Sequence, residues 1–515
     1  MSANLDPAGR EPTEIELKLL MTPDARALLA EHPAFGQATP AETRHQVTAY
    51  FDTADFALSR RGISLRVRRD GDRRIQTVKL ADAADGAAAR RGEWEWPVEQ
   101  DGPDLGLLAQ TPVGGMAGTY LGGALEPVFT TDIRRTVRRI GLDGGTVTEA
   151  AFDDGAILAG AAREPVSELE LELKDGPPGP LYRFALALHA CVPFTIGSES
   201  KAARGYRLRT GHSPAAVKAA DPRVERDLGS AEAIRVIVGS ALGHLLANQP
   251  AAAAGDAEGV HQMRVAIRRL RAALVLFERH LEPHANAQFE AELKRLSEVF
   301  GAARDWDVFC LETLDRARHE AAGHAWIEPL EPLARSERRA AHHRLTDELG
   351  RPAVTGLVLG LAAWSEAAET LPGLLGDQAL RRPLADIAPE LLDRLARKAA
   401  RRGRHIDRHS VDDLHALRKS LKKLRYSVDY LGGQYRRRAV RAYLRGCKDL
   451  QQLLGTINDA AVAIGLAERL AGSHPGDLAP AVAALATWSG KRRDKARRRL
   501  AGAWADFKDT RPFWT

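Results

Sequence analysis

The chain has 515 residues, of which 44% are hydrophobic, 28% charged and 6% aromatic; this excludes wholesale disorder, and the length predicts about three folding units. Its cysteines, Cys191, Cys310 and Cys447, are too far apart for a disulfide framework or a clustered cysteine zinc site. Residues 1–220 carry 26 Lys+Arg against 30 Asp+Glu and residues 221–515 carry 48 against 38, so balances of −4 and +10 make up the net +6, and the basic second half points to a polyanionic partner.

Residues 1–12 are polar and lack the apolar core of a signal peptide. The longest apolar run, 353–364, is too short to span a bilayer. A cytoplasmic protein without membrane attachment is expected. Over the first ~210 residues, short alternating runs between turn signals predict strands at 14–20, 63–69, 75–80, 92–99, 130–140, 146–152 and 167–174, with one helix at 181–190.

Several of these strands are charged on one side only. Glu14-Ile-Glu16-Leu-Lys18, Leu65-Arg-Val-Arg68, Glu93-Trp-Glu95-Trp96 and Glu168-Leu-Glu170-Leu-Glu172-Leu-Lys174 alternate charge with apolar residues. Successive strand side chains face opposite ways, so each run has one charged and one apolar face. A merely solvated face would mix Thr, Ser, Gln and Lys. If the strands close into a barrel with the apolar faces outward, the lumen gathers Glu14, Glu16, Glu93, Glu95, Glu168, Glu170 and Glu172 beside Lys18, Arg66, Arg68, Lys79 and Arg135. Crowded carboxylates need a cation and crowded guanidinium groups need an anion. Mg²⁺ or Mn²⁺ bound by carboxylates, with phosphate held by arginine, satisfies both, so metal-assisted phosphoryl transfer fits.

These residues resemble the CYTH superfamily of triphosphate tunnel metalloenzymes. The ordered series runs from Glu14-x-Glu16-x-Lys18 through Tyr50-Phe-Asp-Thr53, Leu65–Arg68, Thr77-Val-Lys79, Arg91-Gly-Glu-Trp-Glu95, Thr131-Asp-Ile-Arg-Arg135, Phe152-Asp-Asp-Gly155 and Ser167–Glu172 to Ser200-Lys-Ala-Ala-Arg-Gly-Tyr206. The resemblance implies an eight-stranded antiparallel β tunnel over 13–210 that hydrolyses a triphosphate. It implies phosphate contacts from Lys18, Arg66, Arg68, Lys79, Arg135 and Lys201, with register favouring Arg135 over Arg134. It also implies divalent metal on Glu14, Glu16, Asp153, Glu168, Glu170 and Glu172, with Glu93 and Glu95 as further ligands or supports. Glu14, Glu16 and Lys18 are the catalytic candidates. Inorganic triphosphate is the expected substrate; ATP and thiamine triphosphate are the rivals.

Residues 211–222 read as a linker, after which strand alternation gives way to long Ala/Leu/Arg segments of helical period. This part carries an internal repeat. His261-Gln-Met-Arg-Val-Ala-Ile-Arg-Arg-Leu-Arg271 matches His415-Ala-Leu-Arg-Lys-Ser-Leu-Lys-Lys-Leu-Arg425 at an offset of 154, and Gly301 and Asp305 match Gly455 and Asp459. On each helix His261, Arg264, Arg268 and Arg271, or His415, Arg418, Lys422 and Arg425, share one arc beside an apolar stripe. Neither arc carries the acids that a solvated face would intersperse.

Residues 223–510 resemble the CHAD domain, the conserved histidine alpha-helical domain, on Val260–Arg264 with Arg268, Arg269 and Arg271, and on Leu414–Arg418 with Lys422, Lys423 and Arg425. That resemblance implies two four-helix bundles related by a pseudo-twofold axis and a basic groove that binds inorganic polyphosphate through the eight arc residues. The expected whole is a multidomain α+β protein. It would be an inorganic triphosphatase with a polyphosphate-binding module, or else a polyphosphate-granule binding protein of little activity. Nucleic acid is argued against, because the helices lack stacking aromatics and a DNA-reading motif. The basic run 491–499 extends the groove or is a solvated helix face.

Overall fold

The computed structural model describes residues 13–36, 38–80, 89–112, 114, 125–222, 224–320, 324–366, 378–473 and 476–515. The chain forms two compact units. One consists of residues up to 217 together with 242–254 and 350–366, the other of 218–241, 255–349 and 367–515.

In the first unit the strands are β1 (Thr13–Leu20), β2 (Glu42–Asp52), β3 (Ile63–Asp70), β4 (Arg73–Leu80), β5 (Ala89–Pro97), β6 (Glu126–Gly141), β7 (Val147–Ala159) and β8 (Ala162–Asp175). They pair in the order β5-β4-β3-β2-β6-β7-β8-β1, and β1 returns to β5, so the sheet closes on itself. Every pairing is antiparallel. A short strand β9 (Thr195–Gly197) pairs with the other half of β1, opposite Lys18–Leu20.

Alternation sorts the faces. Leu17, Leu19, Leu169 and Leu171 are fully buried, while Glu16, Lys18, Glu170 and Glu172, one residue away on the same strands, line the interior cavity. Outside the sheet, Leu65, Val67, Val78, Trp94 and Leu108 form one apolar cluster. Tyr50, Phe129, Ile133, Ile157 and Val166 form another, and the helix Lys201–Thr210 packs on it through Ala202, Tyr206 and Leu208. A charged lumen inside an apolar shell inverts the usual core; closure makes this possible, because it leaves every strand paired on both edges.

β2 was not among the expected strands, and β6, β7 and β8 run longer than expected. The first four positions of β2 are exposed and polar, Glu-Thr-Arg-His, so no apolar alternation marks them.

The helical unit contains α-helices Ala257–Phe277, Pro283–Asp307, Glu331–Leu349, Leu384–Arg402, Val411–Leu431, Arg437–Ser473 and Ala479–Asp509 among others. Met263, Ile267, Leu270 and Leu274 on the first helix, and Leu417, Leu421, Leu424 and Val428 on Val411–Leu431, are each buried to within 2%. The helix Pro283–Asp307 leads into a π-helical turn, Val308–Thr313, whereas at the 154-residue offset Arg437–Ser473 continues unbroken. Ser230–Ala253 is the one described helix long and apolar enough to cross a membrane by length and composition, and 67% of that window is buried, as in a core helix.

Candidate active site and basic helix pair

The lumen is a cavity of ≈ 620 Å³ lined by Glu16, Lys18, Arg66, Arg68, Lys79, Glu93, Glu95, Arg135, Asp153, Glu170, Glu172 and Lys201. Its charges fall into two networks. Around the first, Lys18 Nζ donates to Glu16 Oε1 at 2.9 Å, contacts Glu170 and lies 3.6 Å from Glu168. Lys201 Nζ meets Asp153 Oδ2 at 2.6 Å and Glu170 Oε1 at 2.8 Å, and contacts Glu168. Arg135 donates through Nε and Nη2 to the two Asp153 oxygens at 2.7 and 2.6 Å, a bidentate fork, and also reaches Glu170. Register explains the fork: Arg135 lies opposite Asp153 on the β6–β7 ladder, whereas Asp154, facing the other way, pairs with Arg26 at 3.2 Å.

The second network lies on β3, β4 and β5. Lys79 pairs with Glu93 at 2.9 Å, Arg66 with Glu93 at 3.4 Å and Arg68 with Glu95 at 3.4 Å, while Thr77 Oγ1 donates to Glu95 at 2.9 Å. Glu172 pairs with Lys174 at 2.6 Å.

Asp153 and Glu168 have no solvent exposure and Glu170 is 8% exposed. Burial pushes the Glu170 carboxyl up, but Lys18, Lys201 and Arg135 outweigh it and hold the group well below the usual carboxylate range. Asp153 is likewise lowered, burial being overcome by Lys201 and Arg135. Lys18 is raised despite its burial, by Glu16, Glu170 and Glu168. These groups therefore stay charged at neutral pH. Ligand oxygens of Asp153, Glu168 and Glu170 lie within 4.8 Å of one another, a set of hard donors able to hold a divalent metal. The side chain of Glu14 lies outside the described residues; of the other expected tunnel residues all but Glu168 line this cavity, and Glu168 lies against Lys201 at its edge.

In the helical unit, Ala257–Phe277 and Val411–Leu431 bring part of their basic arcs together. Arg268 is affected by the charges of Arg264, Arg418 and Arg425. Burial, then Arg268, Arg418 and Arg264, pushes the Lys422 amine down to about 6 against the weaker pull of Asp459. Among the described residues Arg268, Arg418, Lys422 and Arg425 have no carboxylate within ion-pair distance. The Nε atoms of Arg268, Arg418 and Arg425 are buried without a hydrogen-bond partner. The repeat is visible in the packing: a Cβ on Gly301 would lie 3.9 Å from the Arg264 guanidinium, and one on Gly455 3.8 Å from that of Arg418.

The other arc residues diverge. Arg264 donates to Asp305 at 3.1 Å and Arg271 to Glu290 at 2.7 Å, whereas Arg425 stacks 4.7 Å over Tyr426. His415 shares a hydrogen bond with Asn458 at 2.7 Å. His261 is held down at about 4 by burial, Arg304 and Arg268, so it is neutral at physiological pH. Arg304, Tyr426 and Arg204 were not anticipated. Arg204 had a signal, since it lies inside the Ser200–Tyr206 motif one helical turn after Lys201.

A closed antiparallel barrel with ion-paired carboxylates and basic groups in its lumen and a helical unit bearing a repeated basic face are the two parts of the chain. Residues 12–206 match the CYTH domain family and residues 236–468 match the CHAD domain family, so the chain is a CYTH domain followed by a CHAD domain. Over 197 residues, 38% of this chain, it is 30% identical to an inorganic triphosphatase of Haemophilus influenzae, and the match spans 54% of that protein's length. It is 27% identical over 466 residues to an uncharacterized protein of Mycobacterium tuberculosis, covering 82% of this chain and 81% of that one. The crystal structure of the CHAD domain from the plant Ricinus communis superposes with a TM-score of 0.51 at 29% identity, covering 58% of this chain and 98% of that one.

Proposed function

We propose that the barrel is a metal-dependent phosphoanhydride hydrolase that splits inorganic triphosphate into pyrophosphate and phosphate, and that the helical unit binds inorganic polyphosphate. The observation that carries the first half is the gathering of Asp153, Glu168 and Glu170 within 4.8 Å, where Asp153 and Glu170 line one cavity with Lys18, Arg66, Arg68, Lys79, Arg135 and Lys201 and Glu168 contacts Lys201 behind them. The likeness to the H. influenzae inorganic triphosphatase supports the same substrate class.

Asp153, Glu168 and Glu170, with Glu16 beside them, would hold Mg²⁺ or Mn²⁺, which when bound neutralises phosphate charge and polarises the scissile phosphoryl group. Arg66, Arg68 and Lys79 grip phosphate oxygens from one wall and Lys18, Arg135 and Lys201 from another. Catalysis of this kind is positioning and charge stabilisation rather than covalent attack. Water adds to the terminal phosphorus, the bridging P–O bond breaks, and pyrophosphate leaves with the electron pair.

The second half rests on the Arg268, Arg418, Lys422 and Arg425 cluster, whose mutual repulsion a polyanion would relieve. Polyphosphate at this cluster would place the protein at cytoplasmic polyphosphate granules.

The test is phosphate release from inorganic triphosphate with Mg²⁺ or Mn²⁺, with ATP and thiamine triphosphate in parallel, in the intact protein and in Glu14→Ala/Glu16→Ala. Metal-dependent release that prefers triphosphate and falls by two or more orders of magnitude in the variant is expected. Absence of release from every substrate, with polyphosphate still bound, would overturn the enzyme reading.

A further inference from the structure

Glu168 is the one carboxylate of the three-acid cluster gripped from both sides of the barrel wall. From the lumen, Lys201 contacts its Oε1. From outside, Arg204 Nη1 donates to its Oε2 at 3.0 Å. Both bases sit one turn apart on Lys201–Thr210, so a single helix face reaches both oxygens. Arg204 is itself anchored twice more: Nε donates to Glu164 Oε1 at 2.7 Å and Nη2 to the Pro165 carbonyl at 2.8 Å. Glu164 also accepts from Arg207. This outer network lines a separate cavity of ≈ 660 Å³ together with Glu168; Lys201 lines the lumen, whereas Glu168 and Arg204 do not.

A buried carboxylate is free to turn about its last torsion unless its second oxygen is held. Outer partners of that kind orient metal ligands, and their loss typically costs ~10–100-fold in affinity. Glu168, with no solvent exposure, is shielded from bulk water.

We propose that Arg204 is a positioning residue, which locks Glu168 so that one oxygen faces the lumen for a divalent cation, with Glu164 holding Arg204 in place. The proposal rests on the reading of Asp153, Glu168 and Glu170 as a metal site. A lysine cannot replace this arginine: its three donations come from three nitrogens fixed in one guanidinium plane, and a single ammonium nitrogen cannot reproduce their spread.

The experiment measures Mn²⁺ binding to the full-length protein without substrate, from the loss of the free-Mn²⁺ electron paramagnetic resonance signal. Wild type, Arg204→Lys, Glu164→Gln and Asp153→Asn/Glu170→Gln are compared, and each melting temperature is recorded. The double variant defines how much Mn²⁺ belongs to this site. Arg204→Lys keeps the charge, and its site affinity is expected to fall ~10–100-fold. Glu164→Gln touches no lumen group, and a smaller fall in the same direction is expected; it tests the proposal even where Arg204→Lys does not fold. A folded Arg204→Lys or Glu164→Gln protein with wild-type Mn²⁺ affinity overturns the positioning role. Equal Mn²⁺ binding by wild type and the double variant overturns the metal site itself, a different failure.

Discussion

Lys422 sits partly buried among Arg264, Arg268 and Arg418, and burial with that repulsion pushes its amine down from 10.5 to about 6. The unfolded chain therefore holds one more proton than the folded chain between about pH 6 and pH 10.5, and stability gained from this residue rises with pH across that window. The penalty is fully present below about pH 6 and fades as pH climbs through the unfolded value. Lys422→Met removes the penalty and keeps the apolar stem. It should raise the melting temperature at pH 7 by a few degrees, on the scale of ~2–4 °C per kcal/mol for a unit of this size, and the gain should vanish near pH 10. A bound polyanion favours the charged amine, so polyphosphate binding at pH 8 should take up about one proton per site. Titration calorimetry in two buffers of different ionisation enthalpy reads that uptake directly. An unchanged melting temperature, or an enthalpy independent of buffer, would show that Lys422 is not the strained cation. Its place on a basic arc was legible from the helical period; its depressed pKa was not, because that depends on a facing helix more than 150 residues away.

The helix Lys201–Thr210 shows what an element adds to its residues. It carries Lys201 into the lumen and Arg204 onto Glu168, and its seat on the barrel is Gly205. A Cβ there would lie 2.1 Å from the Phe129 ring, and Phe129 is pinned by stacking on Tyr50 at 4.4 Å. In an open helix Gly→Ala stabilises by ~1 kcal/mol. Here the clash should win, for overpacking typically costs ~1–3 kcal/mol, and it would displace both bases. Gly205→Ala is therefore expected to lower both the denaturation midpoint and kcat/KM for triphosphate; retention of both would mean that the helix has slack the packing does not suggest. Elements with a strong period, such as β1 and β8, were legible because charged and aliphatic residues alternate over 14–18 and 168–174. The helix itself was seen only as a string of motif residues, Ser200 to Tyr206. β2 escaped because its polar first half stands exposed, and the π-helical turn Val308–Thr313 escaped because no residue type marks a single extra residue in a helical turn.

At the scale of the whole molecule the charge division and the compact units point the same way. Among the described residues, the acid-rich stretch supplies a lumen whose buried charges are paired, and the basic stretch supplies a cluster with no carboxylate within ion-pair distance. Paired charges in a closed cavity suit a site that must hold a metal and release products, while unpaired cations suit tight, reversible capture of a polyanion. The 154-residue repeat was readable in the sequence and returns as matched glycine–arginine packing at 301/264 and 455/418. Its inequality, Arg271 bound to Glu290 but Arg425 laid on Tyr426, follows from the residues at the aligned positions: Leu444 stands at the offset of Glu290, and Ala272 at that of Tyr426. If the two sites do separate work, a crossed pair of variants should separate them. Glu170→Gln removes a lumen carboxylate that contacts Lys18, Lys201 and Arg135; triphosphate hydrolysis should fall by at least 100-fold while the affinity for long-chain polyphosphate stays within twofold. Lys422→Met should do the reverse, weakening polyphosphate binding about tenfold, on the order of 1.4 kcal/mol, with kcat/KM for triphosphate unchanged. Binding is measured at fixed ionic strength, since screening alone shifts a polyanion's affinity. Loss of polyphosphate binding in Glu170→Gln would mean instead that the lumen is where the long chain binds, and that the helical cations serve some other anion.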